Sequence, residues 1–315
     1  MRQLVIYCCL TQQTEQLAKK VMNELKHAIC STTLIVENMY TDESVVVNTI
    51  PCMDASIRLY FVSKTALENA AMYQEIKYLL EHGDKRKNVF FLSSSSLGAS
   101  LSFKDEIKFW VQQTQYDTSK FANRYRLYSV IYEALYGEPK QHTCLAEPAG
   151  QYWYAMWILS CNFDSFDDIN TAQNLLEKSA AASNMFAMSY TGYSLCCGAL
   201  PFDVNKRRGI QLMMNAANLG HPIAQLNIGK WLFKHGEFQK AVPLLRAGVR
   251  EVDDDGGGYS LLSQCYAEGL GVSKNFVMAE KYALLSKVLK FRSGFKSMSS
   301  HHLYRNLAIN SEVRF

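Results

Sequence analysis

The side chains able to ligate metal or act as nucleophiles in this 315-residue sequence are nine cysteines, seven histidines and a few acidic clusters. The cysteines stand at 8, 9, 30, 52, 144, 161, 196, 197 and 265; two pairs are adjacent and none has C-x-x-C spacing. An odd count without that spacing gives neither a disulfide framework nor a zinc site. Reduced, mostly buried thiols in a cytoplasmic protein are expected instead. His301-His302 is the only close histidine pair, H-E-x-x-H is absent, and no metal is assigned. Neither G-x-G-x-x-G nor G-x-x-x-x-G-K-[ST] occurs, which excludes the glycine-rich dinucleotide fingerprint and the P-loop. Ser93-Ser94-Ser95-Ser96-Leu97-Gly98 offers a phosphate only one glycine. Asp253-Asp254-Asp255 lacks the further ligands of a calcium loop. The segment Glu37 to Ser44, read as the loop after the second strand, gathers three acids and Tyr40. Glu75, followed by Lys77 and Tyr78, reads by itself as a solvated helix residue.

Composition bounds the rest. Hydrophobic residues are 48% and charged residues 20%, enough to bury real cores. A net charge of +4 gives no global sign of nucleic-acid binding. No apolar run reaches the roughly 18–20 residues of a membrane span, so no membrane partner is expected. The opening Met1 to Tyr7 turns polar by Thr11 and reads as a strand rather than a signal peptide.

The N-terminal half alternates strand and helix. Leu4 to Cys9 is a continuous apolar run, as in a strand buried on both faces. Thr14 to His27 carries Leu17, Val21, Met22 and Leu25 at helical spacing. Further strands are read at Thr33–Val36, Arg58–Val62 and Asn88–Leu92, with a helix from Thr65 to His82. The pattern predicts an α/β domain, a parallel sheet flanked by helices, with ligands beyond the carboxyl ends of its strands.

Val62-Ser63 followed by Lys64 to Ile76 resembles the strand-to-helix segment of Toll/interleukin receptor (TIR) domains. In those, a strand ends in Ser and the next helix carries Ser-x-Trp-Cys-x-x-Glu-Leu. Ser63 matches the strand-end Ser and Glu75 the helix Glu; Asn69, Ala71 and Met72 replace the second Ser, the Trp and the Cys. Phe109-Trp110 and a closing helix over Phe121 to Leu135 fit the same order, so the resemblance covers residues 1–136. It implies a flavodoxin-like domain and, as in many bacterial relatives, cleavage of the nicotinamide–ribose bond of NAD, with cyclisation as a variant outcome. NAD is then substrate, and no cofactor is needed. Glu75 becomes the catalytic residue. A carboxylate beside the ribose stabilises the oxocarbenium that forms as neutral nicotinamide leaves. Tyr7, Cys8, Tyr40 and Ser63 become the substrate-binding residues, Tyr60 being a further aromatic near a strand end. Ala71 leaves the stacking of nicotinamide to another element. The family further implies self-association through this domain.

The C-terminal half repeats. Ala187-Met188-Ser189-Tyr190-Thr191-Gly192 returns as Ala224-Gln225-Leu226-Asn227-Ile228-Gly229, 37 residues later. Ala216-Ala217-Asn218-Leu219-Gly220 and Gly269-Leu270-Gly271-Val272 resemble the consensus of Sel-one-like repeats, which are related to tetratricopeptide repeats. Helical hairpins stacked in a solenoid are predicted over 150–290, after a linker at 137–149 and before a basic cap or tail at 291–315. The whole then resembles bacterial TIR immune effectors of antiviral defence. A repeat array would sense a protein or other ligand and control an NAD-processing domain. The alternative is a non-catalytic scaffold that uses the repeats for docking.

Overall fold

The computed structural model describes residues 3–9, 12–30, 34–40, 57–61, 89–93, 115–117, 120–136, 145–160, 165–252 and 255–296. The chain divides into two compact units, Met1–Ser119 with Asn123–Thr143, and Lys120–Ala122 with Cys144–Phe315.

In the first unit, backbone strands β1 (Gln3–Cys9), β2 (Leu34–Tyr40), β3 (Ile57–Phe61), β4 (Val89–Ser93) and β5 (Gln115–Asp117) pair in parallel in the order β2-β1-β3-β4-β5. Helices α1 (Gln12–Ala28) and α2 (Phe121–Tyr136, from Asn123 within this unit) are described with them. The expectation of an α/β parallel-sheet, flavodoxin-like domain is corrected by what surrounds these strands. The part described to its side chains is 79% helical, in ten helices, with no sheet in it. Of the strand side chains only Ile57 and Leu59 are described, and the helix expected over 65–82 lies outside the described residues. A sheet of that class is defined by helical layers packed on both faces. Among the residues of this unit described to their side chains, the packing is instead a contact between two helices. The segment from Glu37 is also corrected. Pairing with Ile6–Cys9 holds Glu37–Tyr40 inside β2, where a loop was expected.

That helix contact is ionic. Glu24 of α1 accepts from Arg124 Nε and Nη2 of α2, each at 2.8 Å, and from the Tyr128 hydroxyl at 2.5 Å. All three residues are buried. The guanidinium fork meets both carboxylate oxygens, so two charges removed from water satisfy each other. Burial, then the Glu24 carboxylate, pushes the Tyr128 hydroxyl well above its ordinary pKa and keeps it a donor.

The second unit holds eight further helices, among the described residues. They are α3 (Pro148–Ser160), α4 (Phe166–Ala181), α5 (Met185–Cys197), α6 (Lys206–Asn218), α7 (Pro222–Lys234), α8 (Phe238–Glu251), α9 (Gly257–Glu268) and α10 (Phe276–Lys296). Consecutive helices pack as hairpins, α3 on α4, α5 on α6, α7 on α8 and α9 on α10, and each hairpin packs on the next. Helix α7 also touches α9, the first helix of the following hairpin. This is the contact order of a stacked array.

Local chemistry repeats with the hairpins. Asn184 caps α5, its side chain accepting from the Phe186 and Ala187 N–H groups. His221, 37 residues on, caps α7 by accepting from Ala224 N–H. Before each cap the chain takes a left-handed turn, at Ser183 (φ 62°) and Gly220 (φ 94°). The N–H groups of Asn184 and His221 bond back to Ser179 and Ala216 carbonyls at 3.1 and 3.0 Å, the Schellman pattern that closes the preceding helix.

Inside the hairpins, backbone approaches backbone. A Cβ on Gly192 would lie 2.8 Å from the Gly209 carbonyl oxygen, and one on Gly209 would lie 2.6 Å from that of Gly192. In the next hairpin, a Cβ on Gly248 would meet Leu226 N at 2.7 Å. Leu176, Phe186, Met213, Leu226, Leu245 and Leu262 fill the buried space between helices.

Removing Arg124 would strand Glu24 as a lone buried charge. Arg124→Met is expected to lose about 3–5 kcal/mol in urea unfolding, and adding Glu24→Leu to restore most of it. A single variant within about 1 kcal/mol of the parent would show the pair to be dispensable.

Candidate functional site

Parallel strands deliver their carboxyl ends to one edge, and chain positions there become neighbours. Cys9 is in register with Tyr40, Cys8 with both Met39 and Phe61, and Tyr7 with both Asn38 and Tyr60. The backbone thus brings Tyr7, Cys8 and Tyr40 to the same end of adjoining strands. Strand β3 ends at Phe61, two residues before Ser63. Ser63 and Glu75 themselves, with Asn69, Ala71 and Met72, lie outside the described residues. Three of the five expected site residues are therefore brought together, and two are not placed.

The array carries chemistry of a different kind. His221 and Asn184 are buried polar caps, and neither was singled out from the sequence. The signal was present: each stands three residues before the repeated Ala187 and Ala224, where a helix start needs an acceptor. The His221 ring meets Phe186 edge-on at 5.6 Å, and Phe186 stacks on Tyr152 at 5.8 Å. Because Nδ1 accepts the Ala224 N–H, this geometry requires the ring neutral, with its proton on Nε2.

A second cluster lies on α5. Burial pushes the Tyr190 hydroxyl up to about 12, against a hydrogen bond with Ser194 that lowers it. Tyr193 is pushed to about 12 by burial and then by Cys197. Burial, then Cys197, raises the Cys196 thiol to about 11, with Lys206 opposing. Cys265 on α9 is likewise held at about 11, mainly by burial. Thiols so placed remain protonated and behave as small apolar side chains. Cys196, Cys197 and Cys265 carry free thiols. Among the described residues no group of three or more His, Cys, Asp or Glu side chains is arranged to hold a metal ion. No described helix is long and apolar enough to cross a membrane.

Comparison with known families finds no family model that matches the chain, and comparison with known proteins finds no relative.

The thiol environments set an order of reactivity. A thiol of pKa about 11 is roughly one part in a thousand thiolate at pH 8. Among the described cysteines of the array, iodoacetamide at pH 8 is expected to label the exposed Cys197 first, with Cys196 and Cys265 following only on unfolding. Peptide mass spectrometry over time reads this directly, and equal early labelling of Cys196 and Cys197 would contradict the burial.

Proposed function

We propose that this chain works by docking a protein on its helical-hairpin array, in the cytoplasm. The observation carrying the reading is the array itself. Eight helices stack with recurring caps at Asn184 and His221 and recurring close contacts at Gly192 and Gly229. Such stacks are quasi-one-dimensional and present long surfaces, a geometry suited to extended partners. Free cysteines agree with a reducing compartment. Crosslinking of the full chain in its source cells is expected to give reproducible adducts from array lysines such as Lys230 and Lys240 to a defined partner set. Adducts no different from those of an unrelated surface-lysine-rich protein would refute docking.

A second reading has its own observation. Tyr7, Cys8 and Tyr40 share one end of adjoining strands, and Ser63 and Glu75 keep the spacing of the TIR resemblance. On this reading Glu75 stabilises the ribosyl cation while nicotinamide leaves, and the docked partner or self-association through the N-terminal unit governs turnover. This makes the chain an NAD-processing effector of the kind used in antiviral defence, with hydrolysis or cyclisation as the outcome. Purified full chain, tested over a range of concentrations, should release nicotinamide from NAD. Glu75→Gln should lower that rate on the order of a hundredfold, because Gln keeps the shape and loses the charge. A parent inert at every concentration, or a variant as fast as an active parent, would remove this reading and leave docking alone.

A further inference from the structure

We infer that the outer face of helix α10 is a docking seam for an acidic amphipathic helix of a partner protein. The inference rests on the docking reading and names the surface and the partner's chemistry. Its basis is the pattern of exposure along the last described helix. Val277 is 78% exposed, Leu284 62% and Val288 42%, with Phe291, 70% exposed, continuing the line. Their spacing is seven, four and three residues, so they fall within an arc of about 60° along roughly 21 Å of helix; Phe276, 73% exposed at the first position of the helix, lies outside that arc, beyond Glu280 and Lys287. The opposite face, through Ala279 and Ser286, is buried, and Ser263 and Ser286 hydroxyls donate across the α9–α10 contact to the Ala279 and Gly256 carbonyls. Helix α10 is thus fixed on its inner side while its outer side keeps a straight apolar line.

The width of that line selects the class of partner. A helix lying in a lipid surface or against a broad core needs an apolar face of about 100° or more; a narrower seam is what a second helix fills. Charge selects the chemistry. Lys281 borders the seam on one side, and Lys287 with Glu280 on the other. The whole helix carries five basic residues (Lys281, Lys287, Lys290, Arg292, Lys296) against one acidic residue, Glu280. A partner helix with carboxylates beside its apolar positions meets these lysines favourably. A second copy does not. Parallel pairing sets Lys281 against Lys281, and antiparallel pairing centred on Leu284 sets Lys281 opposite Lys287. The residues following the helix, with Arg305 and Arg314 against Glu312, are also basic and do not complement it.

The test uses the full chain and two fluorescent synthetic helices, each with leucine along a heptad seam. One is flanked by glutamate and the other by lysine. Fluorescence anisotropy should show saturable binding of the glutamate-flanked peptide and at least tenfold weaker binding of the lysine-flanked one. Leu284→Asp, at an exposed position that leaves the circular dichroism spectrum unchanged, should weaken the first at least tenfold. Lys281→Glu with Lys287→Glu should reverse the preference between peptides. No binding, equal binding of both peptides, or indifference to Leu284→Asp would overturn the inference. So would a concentration-dependent dimer that Leu284→Asp abolishes, which assigns the seam to a second copy. Leu284-dependent binding to phosphatidylserine vesicles without peptide binding would overturn it in favour of lipid. If array lysines crosslink to partners while both peptides fail, the seam is wrong and docking elsewhere on the array stands.

Discussion

The array depends on backbone meeting backbone inside its hairpins. At Gly192 and Gly209 two helices come so close that a Cβ on either would lie within 2.8 Å of the other's carbonyl oxygen. The same need recurs at Gly248, where Leu226 occupies the space a side chain would take. Glycine in a helix interior costs roughly 1 kcal/mol against alanine, so its presence there is unfavourable until packing repays it. Close approach repays it by extending dispersion contact along both helices. The caps at Asn184 and His221 recur with the hairpins, each new hairpin starting at the same point relative to the last.

The two units are held by opposite means. The array relies on small residues and apolar fill. The N-terminal unit joins α1 to α2 through a fully buried carboxylate, guanidinium and phenol. A buried ion pair is a weak source of stability because desolvation offsets its attraction, but it tolerates only one geometry. Arg124 and Tyr128 must both face Glu24, which sets the rotation of α2 about its own axis.

Legibility from sequence followed the range of the forces involved. The hairpins were readable because Ala, Gly and a 37-residue offset are local signals that repeat. The starts of β1 and β2 were readable from the apolar runs at Leu4 and Leu34, but the end of β2 was not. Glu37 and Asn38 look like loop residues, and only pairing with Ile6 and Tyr7 makes them strand. Strand β5 has three residues, Gln-Tyr-Asp, with no alternation to detect. The helical character of the residues described to their side chains overturns the expected α/β class, because layering is a long-range property that no local period encodes. Of the site residues, Tyr7, Cys8 and Tyr40 fall toward the carboxyl ends of β1 and β2. His221 was passed over because a lone histidine before a proline carries no motif, though its repeat position marks a cap.

The central claim is that glycine-mediated contact inside each hairpin makes the stacked hairpins behave as one cooperative array. Native-state hydrogen exchange on the full chain, resolved helix by helix, tests it most directly. The slowest amides of α5, α6, α7 and α8 should exchange through a common opening, with one shared free energy. Gly248→Val, which drives a side chain into Leu226, should lower that free energy for all four helices together. Separate opening energies for the two hairpins, with the substitution felt in α7 and α8 alone, would contradict it.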